Sequence, residues 1–299
     1  MKRFLSLTLA VAATAAAVAW VLSAPDTLDD MTGFTRAADV ENGRVVFYAG
    51  GCASCHSAAG AQGDEKLVLS GGRAFASPFG TFYAPNISSD PEFGIGEWSA
   101  PDLANAMMKG VSPDGQHYYP AFPYTSYSRI KVADVVDLHA FLTTLPASSA
   151  TNLSHDLPLP FRIRRALGLW KLLYLNDRPI ADMPPELVRG QYLVESLGHC
   201  GECHTPRNAI GGLNTAAWLA GAPSPEGKGR VPNITPHLDG LGGWSAADIA
   251  YYLQTGFTPE FDSVGGVMVD VVENMEHLSA EDRLAIAQYL KALPEVAGR

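Results

Sequence analysis

Cys52-Ala-Ser-Cys55-His56 and Cys200-Gly-Glu-Cys203-His204 are two copies of one pattern, C-x-x-C-H, and they constrain the fold more than any other feature of the chain. The spacing suits covalent haem attachment, in which two thiols reach the two vinyl groups of one porphyrin and the adjacent imidazole reaches its iron. A lone C-x-x-C would leave zinc or dithiol redox chemistry open, but the following His and the duplication point to two haem c groups. The chain has four cysteines and all are used here, so none remains for a disulfide, a structural zinc or a nucleophile. Cys52, Cys55, Cys200 and Cys203 are the expected attachment residues, and His56 and His204 the expected proximal ligands.

The halves register well beyond these motifs. Ala84-Pro-Asn-Ile-Ser88 matches Val231-Pro-Asn-Ile-Thr235, and Glu97-Trp98-Ser99 with Asp102 matches Gly243-Trp244-Ser245 with Asp248. Ser99 and Ser245, each three residues before an Asp, predict capped helix starts, and Gly110 and Gly256 predict left-handed stops. Leu138, Phe141, Leu142 and Leu145 form an i, i+3, i+4, i+7 stripe that recurs as Ile286, Tyr289, Leu290 and Leu293. Pro146 and Pro294 end these helices. Trp98 and Trp244 are read as packing residues.

These parts predict an all-α chain of two tandem cytochrome c domains joined by a partly helical linker. The length of 299 residues and the 47% hydrophobic content allow two packed cores. The expected bounds are 1–30 for an N-terminal anchor, 31–147 for the first domain, 148–187 for the linker and 188–299 for the second domain.

The sixth iron position separates the halves. A methionine thioether there favours Fe(II) relative to a second imidazole. Met268, in the loop Gly265-Gly-Val-Met268 after Gly256, is the expected ligand of the second haem, with Met275 its rival. The equivalent position after Gly110 is Phe122, which cannot ligate iron. His117 is the leading candidate for the first haem, and a hydrogen-bonded turn residue is its other reading. An open position comes next, then Met107 and Met108, which fit a core, and His139, which fits a surface.

Met1-Lys2-Arg3 precedes an uncharged run from Phe4 to Ala24, long enough to cross a bilayer. Ala17-Val18-Ala19 offers a cleavage site, but an uncleaved anchor is the preferred reading. Basic residues before the span and Asp26, Asp29 and Asp30 after it place the body outside the cytoplasm, where bacteria attach haem c. The linker from Phe161 to Leu175 is basic and apolar; it reads as a connector packed between domains, or as a segment on an anionic membrane or partner subunit. The net charge of -10 argues against nucleic-acid binding.

Tyr83-Ala-Pro-Asn-Ile-Ser88, Tyr119-Pro-Ala-Phe-Pro-Tyr124, Trp170-Lys-Leu-Leu-Tyr174 and Gly198-His-Cys-Gly-Glu-Cys-His-Thr-Pro-Arg207 resemble the cytochrome c subunits of bacterial periplasmic alcohol, aldehyde, gluconate and fructose dehydrogenases and of some molybdenum hydroxylases. The resemblance implies a dihaem carrier at the bacterial inner membrane, with its haem domains in the periplasm. It would take electrons from a catalytic dehydrogenase subunit of flavin, quinone or molybdenum type and pass them to a cytochrome, an oxidase or quinone. Many members carry three haem domains and have a Pro-Ala-Met-Pro-Tyr loop, whereas this chain has two motifs and Phe122. The alternative is a peroxidase-like or sulfur-compound oxidoreductase with an open first haem; it would need distal acid–base help, for which His117 is the visible residue.

Overall fold

The computed structural model describes residues 2–224 and 229–298. Helix α1 (Lys2–Leu22) projects from the body with none of its apolar span buried. The first half contains α2 (Val40–Ala49), α3 (Cys52–His56), a hairpin of β1 (Ala74–Ser77) and β2 (Gly80–Tyr83), α4 (Ala100–Ala104), α5 (Tyr124–Tyr127) and α6 (Val132–Leu142). A connector helix, α7 (Ala166–Tyr174), follows. The second half contains α8 (Val188–Tyr192), α9 (Gly201–His204), a hairpin of β3 (Ala222–Pro223) and β4 (Arg230–Val231), α10 (Ala246–Thr255), α11 (Met268–Met275) and α12 (Ala280–Ala292). Among the described residues the mostly helical architecture is joined by two short antiparallel strand pairs, registered as Ala74 with Tyr83 and Ala222 with Val231.

Each predicted cap is made. Ser99 and Ser245 accept from the backbone N–H of Asp102 and Asp248, and those carboxylates accept the Ser N–H in return at 2.9 and 2.8 Å. Gly110 and Gly256 take the left-handed conformation with φ of 59° and 74°. A π-turn over Asn105–Lys109 completes the first half's middle helix, and another over Leu193–Leu197 extends α8 towards the second motif.

The stripes on α6 and α12 are buried throughout, each large side chain contributing roughly 1.5–3 kcal/mol of transfer free energy. They pack on α2 and α8, and glycine makes both crossings possible. A Cβ on Gly43 would lie 2.0 Å from the Asp137 carbonyl oxygen, and one on Gly190 would lie 2.0 Å from that of Ala285. Among the described residues one apolar cluster runs through both halves, from Phe47 and Leu138 to Leu197 and Tyr289.

The contacts across the halves are reciprocal. Thr125 and Ser126 on α5 donate to the Glu202 carboxylate inside the second motif at 2.9 and 2.7 Å. Asn274 on α11 donates to Ser54 Oγ inside the first motif at 2.7 Å. In the internal repeat Ser126 corresponds to Asn274 and Ser54 to Glu202, so residue i meets j' where j meets i', as in a two-fold interface. Each motif helix is thus held by a helix of the other half, α9 by α5 and α3 by α11.

Candidate functional site

The local sequence positions the two motifs in the same way. Asp39 caps α2 by accepting from the N–H groups of Glu41 and Asn42. A left-handed residue then turns the chain into each motif: Gly51 with φ of 59° in the first half and His199 with φ of 38° in the second. One helical turn, α3 or α9, brings both cysteines and the following His together.

The histidines are oriented by matching carbonyls. His56 Nδ1 donates to Pro85 O at 2.8 Å and His204 Nδ1 to Pro232 O at 2.8 Å. With the proton held on Nδ1, the Nε2 lone pair is free to ligate. Burial lowers the pKa of both imidazoles and keeps them neutral, as an iron ligand requires. It pushes the thiols of Cys52 and Cys200 up to about 12 and that of Cys55 up to about 11, and raises Cys203.

The Pro-Asn-Ile segments hold these carbonyls in place. The Asn86 amide donates to the carbonyls of Ser148 and Ala150 at 2.7 and 2.9 Å, pinning the segment to the chain beyond α6. Asn233 does the same to Val296 O at 2.7 Å beyond α12. Asn86 and Asn233 were not among the sequence candidates; the repeated Pro-Asn-Ile was the signal available. Two thiols and one oriented imidazole per site fit haem c. Among the described residues no group of three or more His, Cys, Asp or Glu is arranged to hold a bare metal ion.

The sixth-ligand candidates are dispersed. Met268 is the first residue of α11, half-buried against the core, whereas Met275 is buried in it. Met275 Cε lies 3.5 Å from where a Cβ of Gly198 would stand, on the attachment side of the second motif. Phe122 packs between Tyr118 and Tyr127, with ring centroids 5.9 and 5.8 Å away. Met107 is buried and Met108 partly buried in the core. His139 is half-buried rather than a surface residue, because its Nε2 meets Trp98 O at 2.8 Å. Trp98 and Trp244 pack on the core.

His117 is placed elsewhere. Its Nε2 donates to Ser23 O at 2.9 Å, at the end of α1, and its Nδ1 faces Lys171 Nζ at 3.0 Å. Lys171 also donates to the carbonyls of Lys109 and Gly110 at 2.6 and 2.7 Å. With both ring nitrogens engaged and the residue buried, His117 has no lone pair to offer iron in this arrangement. Sequence spacing placed it in the right loop but could not show that α1 and α7 close over that loop.

A relative from Cereibacter sphaeroides, "Diheme cytochrome c-type", is 51% identical over 299 residues, covering 99% of this chain and 100% of its own. The chain belongs to the dihaem cytochrome c family. As a member it carries covalently attached haem c. The cytochrome c family itself matches residues 40–146 of this cytochrome. The fructose dehydrogenase cytochrome subunit of Gluconobacter japonicus is 36% identical over 86% of the chain, and the gluconate 2-dehydrogenase cytochrome c subunit of Pantoea cypripedii 38% over 85%. This cytochrome spans 53% and 59% of those two longer proteins.

Proposed function

We propose that this dihaem cytochrome is the electron-transfer subunit of a periplasmic oxidoreductase. It is held at the inner membrane by α1, accepts electrons from a catalytic dehydrogenase subunit and passes them to a cytochrome, an oxidase or quinone. The observation that carries the reading is the matched orientation of the half-buried His56 and the buried His204, each held through Nδ1 by a proline carbonyl. Similarity to subunits of fructose and gluconate dehydrogenases supports a dehydrogenase partner.

Each haem supplies a one-electron iron couple, and this chain's residues bind it, fix its proximal ligand and exclude water. Cys52 with Cys55, and Cys200 with Cys203, are the thioether positions in two cytochrome c domains, 31–147 and 188–299, with 148–187 between them. Met268 is the proposed sixth ligand of the second haem. At the first haem, Phe122 at the equivalent position and the engaged His117 would offer the iron no sixth ligand. Peroxide chemistry at such a haem would need a nearby acid–base group. His117 is committed to Ser23 and Lys171, which disfavours the peroxidase-like alternative.

The test uses membranes of the producing bacterium with and without this chain, supplied anaerobically with alcohols, aldehydes, sugars and sugar acids. Substrate-dependent reduction of c-type haem, present only with the chain, is the expected result. No reduction by any substrate, together with peroxide turnover by the purified cytochrome, would overturn the proposal.

A further inference from the structure

Helix α7 is built inside out. Its basic residue, Lys171, is 8% exposed and points into the body, while Leu172 and Leu173 are 61% and 69% exposed. Leu169 shares the outer face, and Leu159, Phe161 and Ile163 extend the exposed apolar surface along the preceding chain. A helix on a water-facing surface has the opposite polarity, and a contiguous apolar patch of this kind marks a docking site.

The patch lies where α1 leaves the body. A Cβ on Gly168 would stand 2.3 Å from Ser23 O, so α7 and the end of α1 are in backbone contact. Arg165 donates to Trp20 O at 2.7 Å and to Ser23 Oγ at 3.0 Å, with its guanidinium 4.4 Å from the Trp20 ring. His117 adds its bond to Ser23 O. These groups satisfy carbonyls that a helix end leaves unpaired and place positive charge at the negative end of its dipole. Behind α1, Lys109 pairs with Asp26 at 2.7 Å and Asn105 accepts the Leu28 N–H at 2.8 Å. The end of α1 is therefore rigidly joined to the apolar face of α7.

We propose that the segment 159–175 is a second membrane contact, embedded in the outer-leaflet interface beside α1, and that it fixes the orientation of the haem-bearing body on the bilayer. The occupant is lipid because the face is continuous with the exit point of a bilayer-length apolar helix. Trp20, at the end of that helix, is exposed and suited to the headgroup level. Arg162 is exposed at the patch edge, where it can meet lipid phosphate, and the leucines can reach the acyl boundary. The inference rests on the reading of α1 as a retained anchor.

The experiment reconstitutes the full-length holo-cytochrome in phosphatidylethanolamine–phosphatidylglycerol vesicles containing a phospholipid with a photoreactive group near the glycerol. Crosslinked residues are mapped by mass spectrometry. Crosslinks on α1 and within 159–175, with none at exposed Leu238, are expected. A variant with Leu169, Leu172 and Leu173 changed to Ser should lose the connector crosslinks and keep those on α1. Crosslinks on α1 alone in the wild type would overturn the second contact and leave the anchor standing. No crosslinks on either would instead remove the anchor reading. Protection of the connector by a copurified catalytic subunit would overturn the lipid assignment in favour of protein.

Discussion

The two halves share one scaffold and differ where the haems would be tuned. Both have the glycine at the helix crossing, the capped middle helix, the His held by a proline carbonyl and the Asn that steadies that proline. They differ at Phe122 against Met268, and at Ser54 against Glu202. Attachment depends on a chain geometry that the repeat preserves, whereas the sixth ligand and the local charge depend on single side chains that can change without disturbing the helices. Duplication thus yields two sites that are alike in construction and can be unlike in potential.

Attachment provides the largest test of likeness. Replacing Cys55 and His56 together by Ala, or Cys203 and His204 together, should remove one haem and leave the other, so that haem content per chain falls by half in each variant. A complete loss from either replacement would show that the halves do not load independently. At the helix crossings, Gly43→Val and Gly190→Val should each destabilise by at least ~1–3 kcal/mol, read as a lower melting temperature. A large effect in only one half would break the symmetry of the fold.

The sixth position tests the difference directly. In EPR of the oxidised protein, Met268→Leu should convert a low-spin signal to high spin, whereas Phe122→Met should diminish a high-spin signal already present. If both haems of the wild type are low-spin, the first haem has a sixth ligand, and conversion of its signal to high spin by His117→Ala would make His117 that ligand. The cross-half contacts come next. Glu202→Gln disturbs a carboxylate that accepts from Thr125 and Ser126 and pairs with Arg207, and should cost about 1–3 kcal/mol. Ser54→Ala removes one neutral bond and should cost about 0.5–1.5 kcal/mol.

Lys171, on the connector helix and packed against the first half, gives an effect that depends on pH. Desolvation pulls its pKa down to about 7 from 10.5, so above pH 7 the unfolded chain holds a proton that the folded chain has lost. Stability from this group therefore rises with pH between about 7 and 10.5, by at most about 1.4 kcal/mol per unit. The advantage of wild type over Lys171→Met in denaturant unfolding should widen from pH 7 to pH 9. A gap that narrows would mean that Lys171 stays charged in the fold.

Much of this cytochrome was legible in its sequence because the features are local. A C-x-x-C-H motif carries its own stereochemistry, a Ser three residues before an Asp announces a helix start, and an apolar stripe names its buried face. The duplication supplied a second reading of each. The surroundings of His117 were not legible for the opposite reason: its partners, Ser23 and Lys171, come from distant segments. The polarity of α7 was equally hidden, since the order of Leu, Lys and Trp does not say which face the body covers.

The sequence by itself determined two haem c attachments, the helical repeat around them and an apolar N-terminal helix, each set by spacing within a few turns of chain. Tertiary structure decided that each motif helix is held by a helix of the other half, that proline carbonyls orient both histidines, and that α7 turns its lysine inward and its leucines out. Those outcomes depend on which surfaces meet when segments far apart in sequence pack together, a choice made by shape and burial over the whole molecule.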